Sequence, residues 1–296
     1  MFDNQKNKIV YITTSATQAE KNDFSVIDAN NSSSPQLLAD LEVNTKDLMG
    51  LSINGNYAYT VSSDNSNEFI IIDISNSNSP QKVSTLDLSG DADAISVFYK
   101  DDFAYVGRKE DAEKEFVVIN VSNPNSPYVV SELSGVGGEI NSIFVSGSKA
   151  YLETKDDNMG VIIVNVANQS SPQIVGSFDV NQDIYSAYFQ SEAKTAVGGE
   201  TAFYMADFTS PSNVVNRGSY SVGSRVRDVA LVGDYAFLGT EDPNKEFLVL
   251  NISDPTNIVL VGSFNFPQIV TGVAYENNLV YTSVRSNDLL RIITSQ

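Results

Sequence analysis

A short segment with an aromatic third residue recurs along the chain at nearly constant intervals. Clear copies are Tyr57-Ala58-Tyr59, Phe103-Ala104-Tyr105 and Leu279-Val280-Tyr281. With Lys194-Thr195-Ala196, which keeps the register without the aromatic residue, the third positions are 11, 59, 105, 151, 196, 237 and 281, so the copies are 41 to 48 residues apart. Intervals of about 40–50 residues are typical of folds that repeat one supersecondary unit. The chain is therefore expected to fold as seven copies of one unit.

Each copy has the same order of four predicted strands, which we call A to D. A tight turn such as Asn54-Gly55-Asn56 joins strand A to strand B and is a hairpin signal. Strand C is a short apolar run without alternation, such as Phe69-Ile70-Ile71-Ile72, which is expected where a sheet is buried on both faces. An Asp or Asn then follows, with Pro four or seven residues later. This pattern predicts a turn before strand D, because an Asx side chain bonds the backbone two residues on and Pro fixes φ.

These repeats predict an all-β fold, a β-propeller with seven blades of four antiparallel strands, with six blades as the second choice. Residues 1–296 form one domain in this interpretation. The first copy has no clear strand A, for which residues 1–6 are a poor candidate, and the last has no strand D. The expected blades are residues 1–46, 47–92, 93–138, 139–182, 183–224, 225–268 and 269–296.

The segment after strand C resembles a known family. Phe69-Ile70-Ile71-Ile72-Asp73-Ile74-Ser75, with Pro80 after it, is similar to the LVIVD repeat, and so is Leu250-Asn251-Ile252-Ser253-Asp254-Pro255. The resemblance implies a propeller of the kind found in bacterial and archaeal cell-surface proteins, hence an extracellular or cell-surface location. It implies no general enzymatic activity. The fifth copy, with Ala196 and Met205-Ala206-Asp207, departs most from the pattern.

The composition excludes several kinds of chemistry. The chain has no histidine and no cysteine, so it has no disulfide, no thiolate or imidazole catalysis, and none of the usual ligands for zinc, copper or haem. We expect no cofactor, with Ca²⁺ held by oxygen atoms as the one exception considered. The chemistry that remains belongs to carboxylates, hydroxyls, tyrosines, lysines and arginines.

The net charge of −19 argues against nucleic acid or an anionic membrane surface as a partner, because both require clustered Lys and Arg. No apolar run is long enough to insert into a membrane, and a monomer is expected, since strong acidity keeps a protein soluble. The first residues lack the apolar stretch of a signal peptide. Either the protein is cytosolic or such a segment was removed.

The residue just before strand A is charged in five copies. Because strand A is the innermost strand of a propeller blade, these side chains are expected to surround one mouth of the central channel. They are Asp47, Asp93, Glu139, Asp183 and Arg225. Four carboxylates around one axis would focus a negative potential that binds a cation or a basic group. The alternative is an ordinary solvated rim, and the metal, if any, is unknown.

The loops between strands B and C are expected on the same rim and differ most between copies. They are residues 63–68, 108–111, 155–158 and 241–244. Loops on a rigid scaffold often carry binding function, but loop drift between copies explains the variation equally well. Ca²⁺-type oxygens occur at Asp64 and at Asp156, without the spacing of a calcium-binding loop. The repeated tyrosines of strand B are interpreted as packing residues.

Together these features predict a non-enzymatic binding or scaffold propeller outside the cell, presenting an acidic rim to a protein, glycan or cation. The alternative is a carboxylate-dependent glycan hydrolase, which requires two acids at a defined separation. An enzyme should break the repeat symmetry with a unique loop insertion, and the sequence contains none.

Overall fold

The fold is that of a seven-bladed β-propeller, as predicted, and it is described here from a computed structural model. The structure describes residues 8–14, 22–31, 34–43, 46–109, 114–155, 160–276, 278–285 and 290–294. Glu110, Asp111, Asp156, Asp157 and Asn158, which belong to the predicted rim loops, lie outside the described residues, as do residues 1–6, considered as a first strand A. No helix among the described residues is long and apolar enough to cross a membrane.

The first three blades consist of eleven antiparallel strands. Blade 1 contains β1 (Ile9–Thr13), β2 (Phe24–Asp28) and β3 (Gln36–Leu41). Blade 2 contains β4 (Leu48–Asn54), β5 (Tyr57–Ser62), β6 (Phe69–Asp73) and β7 (Gln81–Leu86). Blade 3 contains β8 (Ala94–Lys100), β9 (Phe103–Arg108), β10 (Phe116–Asn120) and β11 (Tyr128–Leu133).

The remaining four blades repeat this order. Blade 4 contains β12 (Ile140–Ser146), β13 (Lys149–Thr154), β14 (Val161–Asn165) and β15 (Gln173–Phe178). Blade 5 contains β16 (Ile184–Ser191), β17 (Lys194–Gly199), β18 (Ala202–Asp207) and β19 (Val215–Ser221). Blade 6 contains β20 (Val226–Val232), β21 (Tyr235–Thr240), β22 (Phe247–Asn251) and β23 (Val259–Phe264), with a short 3-10 turn over Pro255–Asn257. Blade 7 contains β24 (Val270–Glu276), β25 (Leu279–Val284) and β26 (Leu290–Thr294).

The chain forms two compact units, which we describe separately. The first comprises Met1–Leu152 and Val164–Ile174, and the second comprises Glu153–Ile163 and Val175–Gln296. Among the described residues, blade 1 has no strand A and blade 7 has no strand D, the two gaps that the sequence indicated. The interpretation of residues 1–296 as a single domain, with the blade limits given above, stays a prediction.

Strands B and C are the two deeply buried strands of the four-stranded blades. Ile70, Ile71 and Ile72 of β6 have no exposed surface, and Val117, Val118 and Ile119 of β10 are equally buried. This explains why strand C lacks alternation, because both of its faces pack against apolar side chains. The strand-B tyrosines Tyr59, Tyr105, Tyr151 and Tyr281 are buried as well, as their interpretation as packing residues requires.

The turns between strands adopt the geometry that their residues predict. Asp101 and Asp102, between β8 and β9, have φ of 48° and 65°, as in the hairpin turns that favour Asp, Asn and Gly. After strand C, the side chain of Asp73 accepts a hydrogen bond from the Ser75 N–H at 2.8 Å, and Asn251 does the same for Ser253 at 2.9 Å. The repeated Asp or Asn is therefore a turn-forming residue.

Candidate functional site

The five predicted channel-mouth residues occupy one repeat position, immediately before strand A. The backbone shows this directly, because the carbonyl of the residue at this position accepts the N–H of the residue that follows strand B. The bond is 3.2 Å from Ser63 to Asp47, 2.9 Å from Lys109 to Asp93 and 3.0 Å from Glu241 to Arg225. In these three repeats, the residue before strand A is thereby held next to the residue after strand B at one end of the blade.

In the first unit, Lys109 lies among three of the predicted acids. Its Nζ contacts Asp93 Oδ2 at 2.5 Å, with the lysine side chain 46% and the aspartate 23% exposed. The hydrogen bond to Asp93 raises the pKa of Lys109, and the charges of Asp93, Glu139 and Asp47 raise it further. The charge of these three acids is therefore partly neutralised by a lysine that the sequence interpretation placed in a rim loop, but not among the channel-mouth residues.

In the second unit, Asp183 and Arg225 belong to a mixed group that we call the arginine–tyrosine cluster. Its six members are Asp183, Tyr185, Glu200, Arg225, Arg227 and Glu241. The guanidinium carbon of Arg225 lies 4.2 Å from the centre of the Tyr185 ring, and that of Arg227 lies 5.7 Å from it. Such contacts between a guanidinium and an aromatic face are attractive and hold the side chains in place.

Carboxylates complete the arginine–tyrosine cluster. Glu241 accepts a hydrogen bond from Arg227 Nε at 2.5 Å and another from Arg225 Nη1 at 3.4 Å. Glu200 Oε1 lies 3.9 Å from Arg225 Nη2. The Tyr185 hydroxyl donates to Asp183 at 2.9 Å. Burial, followed by this hydrogen bond and the charge of Asp183, raises the pKa of Tyr185 to about 12, so its proton is retained at neutral pH.

Sequence reasoning named Asp183 and Arg225 and placed Glu241 in a rim loop, but it missed Tyr185, Glu200 and Arg227. Tyr185 and Arg227 lie within strand A, two residues after the position that was singled out, and Glu241 is the first residue after strand B. A signal was available in the spacing, since the residues that meet at the blade end are 16 apart in Asp93/Lys109 and in Arg225/Glu241. In both pairs the charges are opposite. The acid comes before strand A in Asp93/Lys109, whereas the base comes before strand A in Arg225/Glu241.

The rim-loop hypothesis needs correction at Glu68. This residue has no exposed surface, and its Oε2 accepts the Leu88 N–H at 3.0 Å. Asp23 and Glu246 make the same bond to Val43 at 2.7 Å and to Phe266 at 2.8 Å. An acid before strand C thus binds the backbone just after strand D, so Glu68 contributes to blade structure and not to a rim. Asp64 accepts the N–H of Ser66 at 3.1 Å within its own loop.

No group of three or more acidic side chains among the described residues is arranged to hold a metal ion. The expectation of Ca²⁺ at the predicted mouth is not tested by this observation and stays a prediction.

A separate cavity of about 390 Å³ lies in the second unit, away from the arginine–tyrosine cluster. Its charged walls include Lys194, Asp207 and Arg217. Arg217 binds Asp207 at 2.5 Å, and Lys194 donates to the Gly233 carbonyl at 2.6 Å.

Comparison with known proteins identifies the repeat. The family described as the LVIVD repeat matches residues 46–87, 89–133, 137–180 and 223–266. A search of curated proteins finds no match.

Several solved structures share the fold at low sequence identity. A protein from Lactobacillus plantarum has a TM-score of 0.84 at 10% identity, over 98% of this chain and 92% of that one. The periplasmic gluconolactonase of Pseudomonas aeruginosa has a TM-score of 0.81 at 12% identity, over 98% and 93% of the two chains. A putative 6-phosphogluconolactonase from Bacteroides fragilis has a TM-score of 0.80 at 11% identity, over 99% and 92%.

The prediction of a non-enzymatic propeller with an acidic rim is therefore wrong. Lactonases are among the solved propellers that align over nearly the whole chain. Basic residues also accompany the acids before strand A in each unit: Lys109 lies near Asp93, Glu139 and Asp47 in the first, and Arg225 and Arg227 lie beside Glu241 in the second. The binding role of the five channel-mouth residues stays a prediction. The alternative, a glycan hydrolase using two carboxylates, is replaced by the proposal below.

Proposed function

Because the chain belongs to the LVIVD-repeat family and folds as a seven-bladed β-propeller, we propose that it is a hydrolase that opens uncharged sugar lactones at the arginine–tyrosine cluster. The observation that carries the proposal is the position of Arg225 and Arg227 over the Tyr185 ring, beside Asp183 and Glu241. This arrangement combines hydrogen-bond donors for an oxyanion, a carboxylate base and a protonated hydroxyl.

Each group has a role in opening a lactone. Asp183 takes a proton from water as the water oxygen bonds to the lactone carbonyl carbon. The guanidinium groups of Arg225 and Arg227 stabilise the negative charge that develops on the carbonyl oxygen. The ring C–O bond then breaks, the Tyr185 hydroxyl gives its proton to the leaving oxygen, and Tyr185 regains a proton from Asp183. The product is a hydroxy acid, which releases one proton at neutral pH.

Charge favours an uncharged substrate. The cluster holds two guanidinium groups against three carboxylates, Asp183, Glu200 and Glu241, and the whole chain has a net charge of −19. A phosphate on the substrate would be repelled by this field, whereas the hydroxyls of a neutral lactone can bind both arginines and carboxylates. We therefore expect a gluconolactone-like compound to react faster than its phosphorylated counterpart.

The test is proton release from glucono-δ-lactone, followed with a pH indicator and corrected for spontaneous hydrolysis. The parent protein should accelerate the reaction, and Arg227→Gln should lower kcat by about 10²-fold, the usual effect of removing one oxyanion donor. Arg217→Gln is the matched control, because it removes a guanidinium from the separate cavity. A parent rate equal to the spontaneous rate, or a loss confined to Arg217→Gln, would refute the proposal.

We further propose an extracellular or cell-surface location. The resemblance of the repeat to cell-surface LVIVD proteins supports it. Protease treatment of intact cells that express the full protein should degrade it while leaving a cytosolic marker intact.

A further inference from the structure

The cavity of about 390 Å³ in the second unit lies where strand D of blade 5 departs from the repeat. One residue of strand D is left out of the pairing with strand C, and in blades 1, 2, 3 and 6 this residue is apolar: Leu38, Val83, Val130 and Val261. In blade 5 it is Arg217, which lies on the cavity wall. The cavity therefore has a positive charge at a position that is aliphatic in those four blades.

Between blades 2 and 3, side chains of the protein itself fill the corresponding space. Tyr57 and Val83 pack there against a core that includes Tyr59 of blade 2 and Val121 of blade 3. The residues at the equivalent positions of blades 5 and 6 are, in the same order, Lys194, Arg217, Ala196 and Ile252. Blade 5 thus has neither tyrosine ring at these positions. An open space with apolar walls that corresponds to an aromatic side chain can hold an aromatic molecule.

Arg217 has donors that no protein group uses. Asp207 Oδ2 accepts a hydrogen bond from Arg217 Nη2 at 2.5 Å, and Oδ1 accepts the backbone N–H and the hydroxyl of Thr209 at 3.0 and 2.7 Å. The bond to Arg217, followed by those to Thr209, lowers the pKa of Asp207 to about 2, so Asp207 is ionised and holds the guanidinium in place. The Arg217 side chain is 53% exposed and binds the described residues only through Nη2, so Nε and Nη1 are available to a ligand.

Lys194 supplies the second positive charge on the cavity wall. Its Nζ donates to the Gly233 carbonyl at 2.6 Å and to Asp234 Oδ1 at 3.4 Å, and an ammonium group has more donors than these bonds use. The other walls include the apolar side chains of Ile252 and Pro255. A ligand that matches these walls has an apolar body and a group that accepts hydrogen bonds.

We propose that this cavity binds a small aromatic carboxylate, with its carboxylate group on Arg217 and Lys194 and its ring against Ile252. A carboxylate only accepts hydrogen bonds and can accept a parallel pair from one guanidinium, which matches the available donors. Because Asp207 and Asp234 lie nearby and the chain has a net charge of −19, a single negative charge is favoured over a phosphate group. The proposal is independent of the lactonase proposal, because no residue of the cavity wall belongs to the arginine–tyrosine cluster.

The probe is phenylacetate, and its uncharged amide, phenylacetamide, is the matched control ligand. Isothermal titration calorimetry with the full chain should show saturable binding of phenylacetate, with a Kd of about 1 mM or below. The amide should bind at least about tenfold more weakly, because it lacks the charge that the guanidinium binds. Absence of saturable binding of phenylacetate, or equal affinity for the acid and the amide, would overturn the proposal.

One pair of substitutions tests the contact with the carboxylate. Arg217→Gln keeps a donor for Asp207 but removes the guanidinium, so it should weaken phenylacetate binding at least about tenfold. Arg285→Gln is the matched control, because Arg285 is an exposed arginine of the same unit that lies outside the cavity wall, and it should bind phenylacetate like the parent. Parent affinity in Arg217→Gln, or an equal loss in Arg285→Gln, would overturn the proposal.

A third substitution tests the space that the ring occupies. Lys194→Tyr introduces the residue with which strand B begins in blades 2 and 6, Tyr57 and Tyr235. Its ring should fill the cavity and abolish phenylacetate binding, while the thermal midpoint stays at or above that of the parent, as is usual when a cavity is filled. Thermal midpoints of all variants separate a loss of binding from a loss of folding, and Lys194→Tyr decides the outcome if Arg217→Gln does not fold. Parent affinity for phenylacetate in Lys194→Tyr would overturn the proposal.

Discussion

Asp228 shows how one side chain can make a blade contact sensitive to pH. It lies in β20 at the repeat position that holds Ser96 in β8 and Ser186 in β16. Asp228 Oδ2 accepts the Val273 N–H of blade 7 at 2.7 Å, and Oδ1 accepts the Val229 N–H at 2.8 Å. Ser96 binds the next blade differently, by donating to the Ile140 carbonyl at 2.7 Å. Burial raises the pKa of Asp228 to about 6, in spite of the two backbone donors.

The raised pKa of Asp228 predicts a pH window for stability. Its unfolded-state pKa is about 3.9, so between about pH 4 and 6 the folded state binds more protons than the unfolded state, and stability falls as pH rises. Asp228→Ser should remove this penalty. The difference in free energy of unfolding between the variant and the parent should therefore rise by about 2 kcal/mol in favour of the variant from pH 4 to pH 7. Urea denaturation of both proteins at several pH values measures this gain. Parallel pH profiles would contradict the prediction.

At the scale of the element, the middle of strand D contacts the turn between strands C and D of the next blade, a contact that we call the blade junction. Ser84 Oγ donates to the Pro124 carbonyl at 2.6 Å, and Ser131 Oγ donates to the Gln169 carbonyl at 2.5 Å. A Cβ on Gly218 of β19 would overlap the Pro255 carbonyl oxygen, whereas a Cβ on Gly262, at the same position of β23, would meet none of the described atoms within 4 Å. Gly218→Ala should therefore destabilise the protein by about 1–3 kcal/mol, because the overlap with Pro255 forces the turn away. Gly262→Ala should remain within about 0.5 kcal/mol of the parent. The comparison requires urea denaturation midpoints, and equal midpoints for the two variants would show that the contact does not constrain the blades.

The elements themselves were largely predictable from the sequence, because their signals are local. The apolar run of residues 69–72 and the turn at residues 54–56 each depend on neighbouring residues only. The positions of Glu68 and Tyr185 were not predictable in the same way. Glu68 stands in a polar loop but binds Leu88, twenty residues away, and Tyr185 acquires its role from Arg225 in the next blade. Contacts between residues far apart in the sequence, within one blade or between two, depend on geometry that a local pattern does not encode.

At the scale of the whole molecule, the net charge of −19 is the dominant electrostatic property. Self-repulsion of this size opposes folding and is screened by salt. Lys109 relieves it locally, since it lies near Asp47, Asp93 and Glu139. We expect Lys109→Gln to lower the thermal midpoint by about 1–3 °C in 20 mM salt, and by less in 0.5 M NaCl, since its surface ion pair contributes only about 0.2–1 kcal/mol. An effect that does not depend on salt would show that Lys109 acts through packing.

The Lys109→Gln variant also tests the prediction that Ca²⁺ binds at the channel-mouth acids. If Ca²⁺ binds near Asp47, Asp93 and Glu139, it must compete with Lys109 for the same carboxylates. Millimolar Ca²⁺ should therefore raise the thermal midpoint of Lys109→Gln more than that of the parent, relative to chelator. Adding Asp93→Asn should abolish the difference. Equal responses of the parent and Lys109→Gln would remove calcium from this position.

The blade junctions also shape how the protein opens. Each junction links a blade only to the next one, so a break at Gly218 frees the contact between blades 5 and 6 and leaves those at Ser84 and Ser131 intact. Stability in such a chain of contacts is close to a sum of nearest-neighbour terms. Amide hydrogen exchange should then show protection that differs from blade to blade, lowest in β26, which lacks an outer partner among the described strands. We therefore expect unfolding to begin at the edge of blade 7.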